Sequence, residues 1–158
     1  MDRSSKIGDR AGRGQAEIKV SGNSYSSSIL PMLDSHTHAA PTSAYVSAET
    51  VPMLSLDEAA RDFIEPRDIL FLKVDVQGFE AQVLAGAVEI LRRAEGLKLE
   101  FSLLPLYEGS ANLECLLEEV LGHGFEWWDM ECGFRDPHNH RLLQIDGVFF
   151  RKGSALRN

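Results

Sequence analysis

From Ile69 to Val76 the chain reads ILFLKVDV, a near-continuous apolar and β-branched run. Such a run predicts a strand buried on both faces. A helical pattern follows at once, from Glu80 to Ala94, and Leu97 to Leu104 (LKLEFSLL) predicts a second strand. Between Asn112 and Leu121 the apolar residues Leu113, Leu116, Leu117, Val120 and Leu121 fall at i, i+3, i+4, i+7 and i+8, a helical stripe closed by Gly122 and Gly124. Cys115, on its flank, is expected to be a buried thiol. Phe125 to Met130 and Leu142 to Phe150 predict two further strands. GFRDPHNHR joins them, and its Asp136, Pro137 and Asn139 are turn formers, so an antiparallel hairpin is expected. The order strand, helix, strand, helix, strand, strand argues for an α/β fold, with parallel strands, crossover helices and an antiparallel pair at one edge.

The first part of the chain has another texture. Residues 1–16 are rich in Gly, Arg, Asp and Ser and are expected to form a flexible arm. Ala16 to Val20 alternates and predicts a short strand, after which GNSYSSS and the run from Pro31 to Ala44 show turn residues and no period. That stretch reads either as a long loop serving as a substrate flap or as plain disorder. One domain over 17–152, with a short tail at 153–158, fits a chain of 158 residues.

Charge and composition narrow the partners. With 16 basic against 24 acidic residues the net charge is −8, which leaves nothing spare for a phosphate backbone or an anionic bilayer. No nucleic acid and no membrane is expected, and a small or neutral partner fits better. Cys115 and Cys132 are too few for a disulfide scaffold, no apolar run approaches the roughly 20 residues of a membrane span, and MDRSSKIGDRAGRG lacks a signal-peptide core. A cytoplasmic protein is expected. Two HxH triplets, at His36–His38 and His138–His140, invite a metal reading, but barrels of the amidohydrolase type need roughly 250 residues. No metal site is assigned.

Ligands of open α/β sheets bind outside the carboxyl ends of the strands, here KVDVQGFE and EFSLLPLYEG. Lys73 and Asp75 are two apart on one strand and share a face. On the next strand Lys98, Glu100 and Ser102 alternate with apolar residues, so Glu100 can lie across from either. Two readings stand: a buried Lys73–Glu100 ion pair that fixes strand pairing, or Asp75 and Glu100 facing a ligand. Oxygen ligands at strand ends also suit a hard cation such as Mg²⁺, which nothing else in the sequence supports. Gly78 stands where strand turns to helix, and Glu80 falls in the first helical turn, where a carboxylate suits the helix dipole.

At these residues the sequence resembles a family. LKVDVQGFEAQVLAGAVEIL (Leu72 to Leu91) is similar to the signature of FkbM-type S-adenosylmethionine-dependent methyltransferases, K-x-D-x-E-G-x-E followed by a V-L-x-G-A helix. Lys73, Asp75, Gly78, Glu80, Val83, Leu84, Gly86 and Ala87 fall in place, and Gln77 replaces the more usual Glu, removing one charge. The resemblance continues through SLLPLYEG, GFRDP and LLQIDGVFFRK, and back to NSYSSSIL and ETVPMLSLDEAA. It implies a class I methyltransferase fold of which this chain would hold the fourth to seventh strands. The family's first three strands and its D-x-G-A-N-x-G loop have no counterpart upstream of Ala16. A truncated Rossmann-like sheet is therefore expected, mainly parallel with a C-terminal antiparallel hairpin.

The resemblance further implies S-adenosylmethionine as cofactor, bordered by Asp75, Val76, Gln77 and Gly78, and O-methylation of a small-molecule or sugar hydroxyl. Transfer to oxygen needs the hydroxyl in line with the methyl and a base beside it. Asp75 takes that place, Lys73 and Glu100 hold its charge and rotamer, and Ser26, Ser27, Glu80 and Tyr107 line the acceptor side. The alternative is non-enzymatic: an inactive fragment or pseudoenzyme whose strand at Ile69 is an exposed sheet edge that pairs with another chain, a second copy included.

Overall fold

The computed structural model describes residues 13–157. Strand β1 (Arg13–Ser21) pairs antiparallel with β2 (Tyr45–Leu54) in a two-stranded ribbon. β1 contains the expected Ala16–Val20 strand and begins at Arg13, so residues 13–16 lie in a strand where an arm was expected; residues 1–12 lie outside the described residues.

The stretch between these strands is not a free loop. It carries helix α1 (Asp34–Ala39) and a 3₁₀ turn (Pro41–Ser43). Backbone bonds Leu33 N–H to Leu106 O (2.9 Å) and Glu108 N–H to Pro31 O (2.8 Å) tie it to the segment after the second predicted strand. Ala39 packs there against Leu106, Tyr107 and Leu143 in a small core of its own. The flap expectation is corrected accordingly: these backbone groups find protein partners instead of water.

The main sheet has four strands in the order β3-β4-β6-β5: β3 (Leu70–Val74), β4 (Ala94–Ser102), β5 (Phe125–Cys132) and β6 (Gln144–Arg151). Among the described residues only β3 and β4 pair parallel; β6 is antiparallel to both of its neighbours. A mainly parallel sheet is therefore not what forms. The C-terminal hairpin exists, but β6 returns from its turn into the gap between β4 and β5, so that two of three pairings are antiparallel while β3, β4 and β5 keep one direction.

Short helices connect the strands and pack against one face of this sheet. α2 (Leu56–Ala59) is followed, beyond β3, by α3 (Glu80–Ala85) and α4 (Val88–Arg93), where one helix from Glu80 to Ala94 was expected. The chain breaks at Gly86–Ala87, and Asp57 of α2 caps the new start by accepting from Glu89 N–H (3.1 and 3.0 Å) and Ile90 N–H (2.9 Å). α5 (Leu113–Gly122) follows the predicted stripe, with the Asn112 side chain accepting from Cys115 N–H at 2.8 Å. Cys115 itself is exposed. None of these helices is long and apolar enough to cross a membrane.

The main core lies on one sheet face, where Val74, Leu97, Leu99, Phe101, Ile145 and Phe149 meet Leu84, Leu91, Leu116 and Val120. Trp127 joins it against Phe149, whereas Trp128 faces outward. The opposite face carries Phe71, Lys73, Lys98, Glu100, Asp146 and Phe150 in register. β3 is thus not buried on both faces: Phe71 is 48% and Ile69 69% exposed, because β3 has a strand neighbour on one side only among the described residues.

Candidate functional site

β3 ends at Val74 and the chain turns sharply through 75–79 into α3. Two consecutive residues adopt left-handed backbone, Gln77 (φ 55°) and Gly78 (φ 98°). A side chain at 78 would place its Cβ 2.8 Å from Tyr107 Cβ, so glycine is required by conformation and by space together. Glu80 is buried, and its Oε1 accepts from Gly78 N–H (3.0 Å) and Val76 N–H (3.4 Å). Burial raises its pKa, opposed by those backbone bonds. From the β1 side, Ser28 Oγ donates to the Gln77 carbonyl at 2.7 Å. The turn is therefore held from within, from α3 and from the segment that follows β1.

This turn sets two carboxylates side by side. Lys73 pairs with Lys98 across β3 and β4, which carries Asp75 to the same strand ends as Glu100. Gln77 Nε2 donates to both, to Asp75 Oδ1 at 2.8 Å and to Glu100 Oε2 at 3.2 Å, and Gln144 Nε2 donates to the same Glu100 oxygen at 2.6 Å. Lys73 Nζ lies 3.0 Å from Asp75 Oδ2. The Lys73–Glu100 pair is thus corrected to Lys73–Asp75, since a side chain two residues on along one face is in easier reach than one displaced across the strands. The hydrogen bond and charge of Asp75 raise the Lys73 pKa.

Burial pushes Glu100 up to about 8, helped by the neighbouring charges of Asp75, Glu80 and Asp146 and opposed by Lys73. Behind the turn, the Tyr107 hydroxyl donates to Gln77 Oε1 at 2.7 Å; Tyr107 is 1% exposed and its pKa is raised by burial. His36 Nε2 lies 3.3 Å from that hydroxyl and His36 Nδ1 3.0 Å from Ser43 Oγ. Burial lowers the His36 pKa.

Beside this constellation, between β3, α3 and the β1–β2 ribbon, opens a cleft of about 740 Å³. Its walls are mostly apolar, with Ser27, Ser28, Ser55, Lys73, Asp75 and Gln82 as polar groups. Gln82 Oε1 is buried without a hydrogen-bond partner.

Residues 4–135 match the model of the methyltransferase FkbM domain. The chain belongs to this family. No curated protein and no solved structure matches it. In this FkbM domain the Leu72–Leu91 signature forms most of β3, the tight turn, α3 and the start of α4, and its stretch from Leu72 to Gly86 supplies one wall of the cleft. The matched residues end in the turn before β6, so Gln144 and Asp146, which complete the surroundings of Glu100, come from outside the match.

Of the residues singled out from sequence, the fold gathers Lys73, Asp75, Gln77 and Glu100 at one rim, and Val76 and Ser27 line the cleft. Ser26 is buried and accepts from Asn23 Nδ2. Tyr107 and Glu80 do not face an acceptor side: one is sealed beneath the turn and the other caps it. Gly78 likewise packs against Tyr107. Sequence reasoning missed Gln144, Gln82 and His36. The HxH motif did draw attention to His36, but for a metal, and the described residues hold no group of three His, Cys, Asp or Glu placed to bind one.

Proposed function

We propose that this FkbM domain is an S-adenosylmethionine-dependent O-methyltransferase acting on a hydroxyl of a small molecule or sugar, with Asp75 at the acceptor. The observation that carries the reading is the meeting of Asp75 and Glu100 at the ends of adjacent parallel strands, bridged by Gln77, with Asp75 lining a cleft. The cleft falls within the roughly 300–1,000 Å³ typical of small-molecule sites. Its apolar walls suit a ring and an aliphatic chain, and the unpartnered Gln82 Oε1 and the Asp75 carboxylate suit amine and hydroxyl donors. When bound, S-adenosylmethionine supplies an electrophilic methyl group.

The chain's own groups divide the remaining work. Asp75 accepts the hydrogen of the acceptor hydroxyl and takes its proton, while Lys73 on Oδ2 and Gln77 on Oδ1 hold the carboxylate in one rotamer. Glu100, titrating near 8, stays protonated at neutral pH and so does not add a second negative charge beside Asp75. The test is transfer of labelled methyl from S-adenosylmethionine to a panel of hydroxyl and amine acceptors. Asp75→Asn is expected to lower turnover by about 10²-fold or more, the usual worth of a positioned base, with an unchanged circular dichroism spectrum. Full activity in that variant would remove Asp75 from the reaction.

The exposed edge of β3, with Ile69 and Phe71 open to solvent, favours one alternative: an inactive assembly module that pairs through this edge. Calorimetric titration with S-adenosylmethionine beside light scattering separates the two. One-to-one binding by a monomer supports the enzyme, and a dimer that gives no heat supports the module.

A further inference from the structure

Among the described residues the amide of Gln77 is the group that touches both carboxylates of the rim and the buried interior behind them. Its Nε2 faces Asp75 and Glu100, its Oε1 takes the Tyr107 hydroxyl, and its backbone is pinned by Ser28. We propose that Gln77 is the positioning residue of the Asp75–Glu100 pair, its amide locked in a single orientation by the sealed Tyr107 hydroxyl. This rests on the reading of Asp75 and Glu100 as the acceptor rim and extends it inward to residues that touch no ligand.

The lock follows from donor and acceptor bookkeeping. A rotated amide would set Oε1 against two acidic side chains and lose the N–H bonds they accept. Tyr107 biases the amide the same way, because its hydroxyl donates at 2.7 Å to the oxygen and is held from moving by the packing of its ring beneath Gly78. His36 closes the far side: its ring sits 5.4 Å from Tyr107 and 5.2 Å from Phe134, with Nδ1 on Ser43. Glutamine, standing where the resemblance has a more usual glutamate, supplies the N–H donors to Asp75 and Glu100 that a carboxylate lacks.

Tyr107→Phe removes the hydroxyl and keeps the ring, and Gln77→Met removes the amide and keeps its length. In each variant the carboxyl carbons of Glu80 and Glu100 are followed by carbon-13 NMR through a pH titration. N–H donation stabilises the ionised acid, so its weakening is expected to move the Glu100 midpoint upward by about one pH unit, the worth of one charge-assisted bond. Glu80, bonded to backbone only, is expected to stay in place. Loss of packing alone would lower the melting temperature without singling out Glu100. An unmoved Glu100 midpoint in both variants, or an equal shift in Glu80, would overturn the proposal. The titration needs no turnover, so an Asp75→Asn protein with full methyl transfer would defeat the catalytic reading while leaving this result to stand or fall separately.

Discussion

Gly78 is the residue at which local backbone and tertiary packing make the same demand. Its φ of 98° disfavours any L side chain, and a Cβ would lie within 3.0 Å of three Tyr107 atoms. Gly78→Ala is therefore expected to cost about 2–4 kcal/mol, read from urea denaturation, since strain and overpacking add. Glu100 sets a pH dependence of the opposite sign to that of an ordinary paired acid. Its folded pKa of about 8 lies above the ordinary 4.5, so between these values the folded state binds the extra proton. Its contribution to stability is fully present below pH 4.5 and is lost as pH rises through 8. Glu100→Gln keeps a neutral side chain at all pH. The variant is expected to be more stable than the parent at pH 8.5 and to show a flatter stability profile from pH 5 to 8.5, by denaturant titration at each pH.

Among the elements, α4 depends on a partner distant in sequence. It is six residues long, too short to persist by itself, and its free N–H groups are met by Asp57 from α2. Asp57→Ala is expected to destabilise the domain by about 1–2 kcal/mol and to speed amide exchange at Glu89 and Ile90 first. Elements with a strong period were legible in advance: α5 from its leucine stripe, β3 to β6 from their apolar runs. β2 was not, because YVSAETVPML in a two-stranded ribbon is mostly exposed and so carries no alternation, and Pro52 argues against a strand. α1 was hidden in a stretch without period, since tertiary bonds to Leu106 and Glu108 hold its surroundings. The nearness of Lys73, Asp75 and Glu100 followed from side-chain alternation on neighbouring strands. The Gln77 bridge did not, for it depends on a left-handed turn and on Tyr107, Gln144 and His36 arriving from remote parts of the chain.

At the scale of the molecule, the pairing order β3-β4-β6-β5 makes β6 the member on which the sheet depends. Both its edges are paired, and Ile145 and Phe149 lie in the core. A chain ending at residue 143 is expected to lose cooperative unfolding by calorimetry, because β4 and β5 no longer share a neighbour. The same arrangement bears on synthesis. Translation reaches residues 144–151 after the other described strands have been made, so until β6 docks, β4 and β5 each present an unpaired edge at the centre of the sheet. A stalled or prematurely released polypeptide would keep those edges open to chaperones and proteases, and the domain in effect reports its own completion by closing from the middle.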